Sequence, residues 1–279
     1  FFCGNYNFEY NQFFASEAAF AMIVPDGRVI SWGNYEFNEV KEYITMPEII
    51  NENKIQTICT TDLGGFAALT TKGKILTWGN KKFGGDSSSV LQLLNTNTIE
   101  SIHSTKCTFS AVTSDEDIIT WGNTNFKGKK KGYVAESFPV ENIENIFANG
   151  FAYALLTCDG NVKTWGEQSY GGNSSTILEL SAGNITNIYH TNVSFAALND
   201  DGNVIVWGDE ECGGDCSNVS NLLNENYIEE IYSTKRGAFA AVTDERNVIT
   251  WGDQKYGGDS SQVSQLLNQN NVETIFANI

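Results

Sequence analysis

Residues 238–261 read AFAAVTDERNVITWGDQKYGGDSS, and this phrase recurs along the whole chain. Each of the six tryptophans (Trp32, Trp78, Trp121, Trp165, Trp207 and Trp251) is followed by glycine, at spacings of 46, 43, 44, 42 and 44 residues. Twelve residues ahead of each Trp stands an aromatic: Phe20, Phe66, Phe109, Tyr153, Phe195 or Phe239. A fixed period of this size marks stacked units that bury a shared core, so it decides the architecture before any local reading.

Working outward from the WG pair, each unit has four parts. A short apolar segment comes first: IQTIC at 55–59, IESIH at 99–103, IENIF at 143–147, ITNIY at 185–189, IEEIY at 228–232 and VETIF at 272–276. Its apolar residues lie three apart, a spacing that also suits a helix. The β-branched content and the polar turn that follows favour a strand. The last slot of this segment holds Phe14, Cys59, His103, Phe147, Tyr189, Tyr232 or Phe276, so His103 reads as a packed core residue. The second part is the FAAL strand, such as Phe66 to Leu69. Its small residues predict crowding near the axis of a propeller, where inner strands converge.

The third part is a tight turn and a return strand. DGRVISW at 26–32, DGNVKTW at 159–165 and DGNVIVW at 201–207 place Asp-Gly between apolar runs, a hairpin signal because Gly accepts positive φ. Asp115-Glu116 and Glu245-Arg246 replace it in the third and sixth units, which predicts a wider or strained turn there. Lys163 stands two before Trp165, where other units have an apolar residue, so that face is expected to be open. Gly33, Gly79, Gly122, Gly166, Gly208 and Gly252 follow the tryptophans without exception, which calls for positive φ or a close backbone approach.

The fourth part is the connector. Five residues after Trp comes Phe37, Phe83, Phe126, Tyr170, Cys212 or Tyr256, then GGDSS or a close variant, then VLQLL, VSNLL or VSQLL. Asp before apolar residues at i, i+3 and i+4 predicts a helix of one or two turns, capped by Asp86, Asp215 or Asp259. A calcium loop is the competing reading of Gly-Gly-x-Asp. One carboxylate per unit cannot surround a cation that takes six or more oxygens.

AFAAL-x-x-DG-x-V-x-x-WG-x-x-x-Y-GG resembles the repeat of the regulator of chromosome condensation family. The resemblance covers essentially the whole chain. It implies an all-β fold, a β-propeller of repeats of about 44 residues, commonly seven-bladed with four-stranded blades. Six full units end near residues 33, 79, 122, 166, 208 and 252, in a single domain over residues 1–279, with partial units at both ends. Cys3-Gly4 takes a WG place and VETIF opens a further unit at 253–279, so either a seventh blade closes from both ends or the chain is a section of a longer array. The GGDSS connector departs from the family's usual G-Q-L-G. The family also includes nucleotide-exchange factors for small GTPases, which work through a protruding wedge; no insertion that long stands here.

Composition narrows the function classes. Lys and Arg number 17 against 34 Asp and Glu, a net charge of −17, which disfavours phosphate-backbone binding of nucleic acid. No apolar run is long enough to span a membrane. The chain opens on Phe1 without a signal-peptide pattern, which reads as a removed leader or a flanking sequence. The sequons at Asn173, Asn184, Asn192 and Asn218 fall in an Asn-rich chain and do not establish secretion. The six cysteines share no repeat position and read as reduced thiols of a cytoplasmic protein. His103 and His190 are the only histidines, which leaves little for zinc or for base catalysis. No cofactor, metal or catalytic residue is expected.

Departures from the repeat are the candidate sites, since a scaffold repeat needs none. In the third unit Lys127, Lys129, Lys130 and Lys131 replace GGDSS and form a positive loop, either a contact for an acidic partner or a solvated loop. The first unit has Tyr35 and Phe37 followed by VKEYITMPEII, where Met46-Pro47 interrupts regular structure. The expected function is a non-enzymatic scaffold that binds a protein partner, within a larger complex. An assembly protein whose unfinished repeats pair between chains, and an exchange factor, are the alternatives.

Overall fold

The computed structural model describes residues 12–17, 19–24, 29–33, 54–123, 138–174, 177, 184–269 and 272–277. Six antiparallel sheets follow one another in chain order. Sheet 1 holds β1 (Gln12–Ala15), β2 (Ala19–Ile23) and β3 (Val29–Gly33). Sheet 2 holds β4 (Ile55–Thr60), β5 (Gly65–Thr70) and β6 (Ile75–Gly79). Sheet 3 holds β7 (Ile99–Ser104), β8 (Thr108–Thr113), β9 (Asp117–Gly122) and the short β10 (Phe138–Pro139). Sheet 4 holds β11 (Ile143–Ala148), β12 (Ala152–Thr157) and β13 (Val162–Gly166). Sheet 5 holds β14 (Ile185–His190), β15 (Ser194–Asn199) and β16 (Val204–Gly208). Sheet 6 holds β17 (Ile228–Ser233), β18 (Ala238–Thr243) and β19 (Val248–Gly252). The chain forms two compact units, Phe1–Glu141 with sheets 1 to 3 and Asn142–Ile279 with sheets 4 to 6.

The first strand owes its three-apart pattern to a β-bulge. In β4 the pairing steps from Ile55 opposite Thr70 to Thr57 opposite Leu69, leaving Gln56 as the extra residue. The extra residue brings Ile55 and Ile58 to the same buried face. Ile99 and Ile102, Ile185 and Ile188, and Ile228 and Ile231 repeat the device.

The small residues of the FAAL strand are buried between sheets. This strand is the middle one of its sheet. Neighbouring sheets cover both its faces. Ala68 packs with Ala21 and Ile23 of the preceding sheet, while Ala67 and Leu69 pack with Ile99, Ile102 and Phe109 of the following one. Sheets 5 and 6 repeat this: Ala196 and Leu198 lie against Ile228, Ile231, Phe239 and Trp251. A strand covered on both faces needs small side chains for the sheets to approach.

Each aromatic stacks on the Trp directly opposite it in the next strand. The ring centroids of Phe66 and Trp78 are 5.2 Å apart, those of Tyr153 and Trp165 5.0 Å, and those of Phe239 and Trp251 5.2 Å. Such a cross-strand pair adds about 0.5–1.5 kcal/mol beyond the area it buries. Lys163 is exposed beside Trp165, as its charge predicts. The glycine after Trp meets both conditions set by the sequence. Gly208 has φ 113°, and a Cβ there would lie 2.7 Å from Ser194 Cα of the paired strand.

The hairpin turns are uniform. Gly73, Gly160 and Gly202 sit at φ 69°, 73° and 76°, and Glu116 and Arg246 take the same place at φ 62° and 66°. The amide of each bonds the carbonyl three residues back: Glu116 to Thr113 at 2.9 Å, Gly160 to Thr157 at 2.8 Å. The Glu116 and Arg246 turns are therefore strained but no wider than the rest. A hydroxyl steadies the same turn, with Thr70 Oγ1 accepting from the Lys74 amide and Thr243 Oγ1 from the Asn247 amide.

The connectors depart from the four-stranded unit that the family resemblance implies. Among the described residues five sheets have three strands, and only sheet 3, whose unit lacks GGDSS, gains a fourth. After β6 the chain forms a 3-10 turn at Lys81–Phe83, a second at Ser88–Val90, and the helix α1 (Leu91–Thr96). After β16 the same path gives turns at Glu210–Cys212 and Ser217–Val219 and the helix α2 (Ser220–Glu225). After β19 it gives Gln254–Tyr256 and the helix α3 (Ser264–Gln269). The aspartates do not cap the helices themselves. Asp86 accepts from the Ser88 amide at 2.9 Å, Asp215 from Ser217 at 2.9 Å and Asp259 from Ser261 at 2.8 Å, closing the turn that precedes each helix. Those bonds, led by the backbone one, hold the Asp86 and Asp259 carboxyls below the usual carboxylate range.

Residues 272–277 carry no strand, although VETIF matches the first segment of a unit. The Val272 amide bonds the Arg246 carbonyl at 3.3 Å, as Ile99 does with Gly73 and Ile228 with Gly202. The entry contact forms. The FAAL strand that would extend it into a ladder does not follow in these residues.

Candidate functional site

The candidate interaction surface is the end of each sheet where the turn between its first two strands meets the 3-10 turn after WG. A buried polar side chain in the first turn, or at the start of the strand after it, ties the two together. Thr61 Oγ1 donates to the Phe83 carbonyl at 2.8 Å, Asn149 Nδ2 to the Tyr170 carbonyl at 2.7 Å, and Ser194 Oγ to the Cys212 carbonyl at 2.6 Å. Neighbouring turns are also joined along the backbone: Glu17 to the Asp62 carbonyl at 3.0 Å, Gly150 to Asn192 at 2.8 Å, and Asn192 to Lys235 at 2.9 Å. Side chains outside this framework are presented by a stiff support.

Charge distinguishes the turns. Asp62 and Lys106, on adjacent turns, form an ion pair at 3.7 Å. In sheet 6 the turn brings Lys235 and Arg236, both exposed, beside Lys255 and Tyr256 of the following 3-10 turn. Arg236 Nη1 donates to the Tyr256 hydroxyl at 3.1 Å. The Arg236 guanidinium and the Lys255 ammonium stand 5.2 and 5.3 Å from the centre of the Tyr256 ring, within cation–π range. The Arg236 hydrogen bond first, and then Lys255, lower the Tyr256 hydroxyl below its ordinary pKa. Among the described residues Lys235, Arg236 and Lys255 form no ion pair with a carboxylate.

Of the groups able to do nucleophilic or imidazole chemistry, Cys59 and Cys107 are buried, His103, His190, Cys212 and Cys216 are half-buried, and Cys158 is exposed. Burial pushes His103 down to about 4 and lowers His190. His103 Nε2 lies 3.1 Å from Ser101 Oγ, and His190 Nδ1 lies 3.1 Å from the Thr191 carbonyl. Burial, with Asp62 next in weight, raises the Cys107 thiol to about 11, and burial followed by Asp209 does the same for Cys212. Thiols held protonated are poor nucleophiles. Cys59, Cys107, Cys158, Cys212 and Cys216 are free thiols. Among the described residues no three His, Cys, Asp or Glu side chains gather as a metal site, and no helix is long and apolar enough to cross a membrane.

Tyr35, Phe37, Lys127, Lys129, Lys130 and Lys131, the residues singled out from the sequence, lie outside the described residues, as does Met46-Pro47. The Arg236–Tyr256–Lys255 cluster was missed by the sequence reading. Its one signal was present: STKRG at 233–237 is the only first turn with two adjacent cations.

Structural comparison sets this arrangement beside solved proteins. Yeast RCC1 (Prp20), in its complex with Kap60, is similar with a TM-score of 0.51 and 16% identity, over 81% of this chain and 64% of that one. The fold is of the β-propeller class. Two further structures are similar at lower scores. Prp20p from Saccharomyces cerevisiae has a TM-score of 0.48 and 17% identity, over 72% of this chain and 58% of that one. The CRINKLY WD40 ectodomain of the Arabidopsis thaliana receptor kinase ACR4 has 0.48 and 13%, over 87% and 84%. The chain spans less than two thirds of the length of yeast Prp20 in both of its structures. No family model and no curated protein matches the sequence.

Proposed function

We propose that the chain is a non-enzymatic scaffold that holds a protein partner through the turn ends of its sheets, and that the sheet 6 end takes an acidic segment of that partner. The observation behind this reading is the convergence of Arg236 and Lys255 on Tyr256 in a chain of net charge −17. At physiological salt, charges more than roughly 8 Å away are largely screened, so a local cluster can act against the sign of the whole molecule. An Arg fork and an aromatic face on a braced turn are the residue types that dominate protein interfaces. Yeast RCC1, which has a similar fold, is bound by Kap60. Lys127, Lys129, Lys130 and Lys131 supply a second cationic segment for the same kind of partner, with Tyr35 and Phe37 as aromatic contacts. Exchange-factor activity rests on the family resemblance alone.

The test is fluorescence anisotropy with a fluorescein-labelled Glu-rich peptide, titrated at low and at physiological salt. Binding that weakens with salt and falls in the Arg236→Ala/Lys255→Ala variant supports the reading. A parallel Lys127→Ala/Lys129→Ala/Lys130→Ala/Lys131→Ala variant measures the third connector's share. Equal binding by all three proteins, or none by any of them, rejects it.

A further inference from the structure

The turn between the first two strands of a sheet holds a polar residue at one recurring place: Thr61, Thr105, Asn149, Thr191 and Thr234. Its side chain accepts from the backbone amides that close the turn. Where the turn closes three residues on, two hydroxyls share the work. Thr191 Oγ1 accepts from the Val193 amide at 3.2 Å and the Ser194 amide at 3.1 Å, and it pairs at 2.7 Å with Ser194 Oγ, which in turn donates to the Cys212 carbonyl. Thr105 and Thr108 form the same hydroxyl pair at 2.8 Å. Sheet 4 has Ala152 where Ser194 and Thr108 stand, so one side chain must make both kinds of bond. Asn149 has the reach and the two functions. Its Oδ1 accepts from the Phe151 and Ala152 amides at 2.8 and 2.7 Å, and its Nδ2 donates to the Tyr170 carbonyl at 2.7 Å.

Gly150 follows Asn149, and this is the only Asn-Gly pair in the chain. Such a pair is prone to lose ammonia, because no Cβ hinders the glycine nitrogen as it approaches the carboxamide carbon. In that reaction the deprotonated Gly150 nitrogen bonds to Asn149 Cγ, the Cγ–Nδ2 bond breaks, and ammonia leaves with the proton. Water then opens the resulting succinimide at either carbonyl, giving an aspartyl or an isoaspartyl residue. In the folded chain both reacting groups are held elsewhere. The Gly150 N–H donates to the Asn192 carbonyl of the neighbouring turn at 2.8 Å, which withholds its proton from solvent base. Three hydrogen bonds fix the carboxamide, and Asn149 is only 5% exposed. Every one of these partners belongs to the compact unit Asn142–Ile279.

We propose that Asn149-Gly150 is a self-modification site gated by the fold: it is silent while the turns of sheets 4 and 5 are joined, and it deamidates once they part, with water as the only co-reactant. Refolding does not undo the reaction. The aspartyl product has an oxygen where Nδ2 stood, so a buried carboxyl group faces the Tyr170 carbonyl and the donor of that bond is lost. The isoaspartyl product adds a methylene to the main chain, so the Phe151 and Ala152 amides no longer meet the side chain in this geometry. Opening of the turn is thereby turned into a permanent mark at the bond that braced it. Neither residue belongs to the Arg236–Tyr256–Lys255 cluster, so the inference stands apart from the acidic-partner reading.

The first test ages the full chain in heavy-oxygen water at mildly alkaline pH, folded in one sample and unfolded in guanidinium chloride in the other, and maps the peptides by mass spectrometry. Ring opening leaves a heavy oxygen in the peptide that contains Asn149, which separates deamidation during ageing from any during digestion. The folded protein is expected to label at least roughly 100-fold more slowly, the protection given by a turn that is open in about one molecule in a hundred or fewer. Equal labelling rates overturn the gating. The second test dilutes aged, unfolded chains out of denaturant. The refolded fraction is expected to fall in step with labelling in the parent and to hold in Asn149→Thr/Ala152→Ser, which copies the Thr191–Ser194 pair and has no carboxamide to lose at position 149. An equal fall in the variant, or a fully labelled parent that refolds as completely as fresh protein, overturns the permanent mark. The first comparison uses the parent alone and decides the gating even where the double variant fails to fold.

Discussion

The indole Nε1 of Trp251 donates a hydrogen bond to the carbonyl oxygen of Gly213, 3.3 Å away, from one sheet to the connector of the sheet before it. Trp121 does the same with Gly84 at 3.0 Å, and Trp207 with Gly171 at 3.2 Å. The Trp of one unit and the first connector glycine of the previous unit thus form a single lock. Trp251→Phe keeps the stack on Phe239 but leaves the Gly213 carbonyl buried without that donor. The expected loss is about 1–3 kcal/mol. Trp251→Ala removes the ring as well and costs about 3–5 kcal/mol. Urea unfolding followed by circular dichroism orders the two variants, and an unchanged stability in Trp251→Phe would refute the role of the hydrogen bond.

The glycine side of the lock gives a paired prediction. Gly213 sits at φ 97° with Phe239 against it, while at Gly257, with φ 109°, a Cβ would meet among the described residues only Ala238 Cβ at 4.0 Å. Alanine is strained at both, at roughly 1–2 kcal/mol for left-handed backbone. Only at Gly213 must Phe239 also be displaced. Gly213→Ala is therefore expected to lower the melting temperature clearly more than Gly257→Ala. Equal shifts would mean that backbone strain alone sets the cost.

The repeat was legible because it is written in large side chains with one location each. Six tryptophans with partners at fixed distance fix the hairpin, and Phe66 and Trp78 meet in register. Features carried by backbone geometry were not legible. The bulge at Gln56 leaves only a three-apart spacing that a helix shares, and it needs the opposite strand to be seen. The GG pair reads as a flexible turn until the next unit's Phe109 and Trp121 appear against Gly84. Thr61, Asn149 and Ser194 are too ordinary in composition to stand out, yet they brace the interaction end. The Arg236–Tyr256 contact joins residues 20 apart that no periodic pattern pairs.

Glu116 occupies a left-handed position that Gly73, Gly160 and Gly202 fill in the equivalent turns. Non-glycine residues there carry roughly 1–2 kcal/mol of strain, set against roughly 0.5–1 kcal/mol of extra chain entropy that glycine loses on folding. Glu116→Gly is expected to stabilise the protein by a few tenths to about 1 kcal/mol. Arg246→Gly gains less, because it also removes the ion pair between Arg246 and Glu229 at 3.0 Å, an exposed pair of small value. The shift in urea midpoint at constant slope measures both, and a loss on Glu116→Gly would show that the turn is unstrained.

His103 links stability to pH. Burial depresses its folded-state pKa from 6.5 to about 4, and burial depresses that of His190 as well. Between these two values the unfolded chain binds a proton at position 103 that the folded chain refuses. Stability therefore rises with pH through this window and falls as the solution is acidified from about 6.5 toward 4. The depressed Asp86 and Asp259 carboxyls act in the same direction but only from the ordinary carboxylate value of 3.8 downward, so the two effects separate. His103→Phe places in this slot the residue that Phe147 already supplies in the fourth unit, and it removes one proton from the balance. The variant's urea midpoint is expected to change less between pH of about 4.5 and 6.5 than the parent's, with the remaining slope carried by His190. Parallel pH profiles for variant and parent would show that the His103 imidazole is as easily protonated in the folded chain as in the unfolded one.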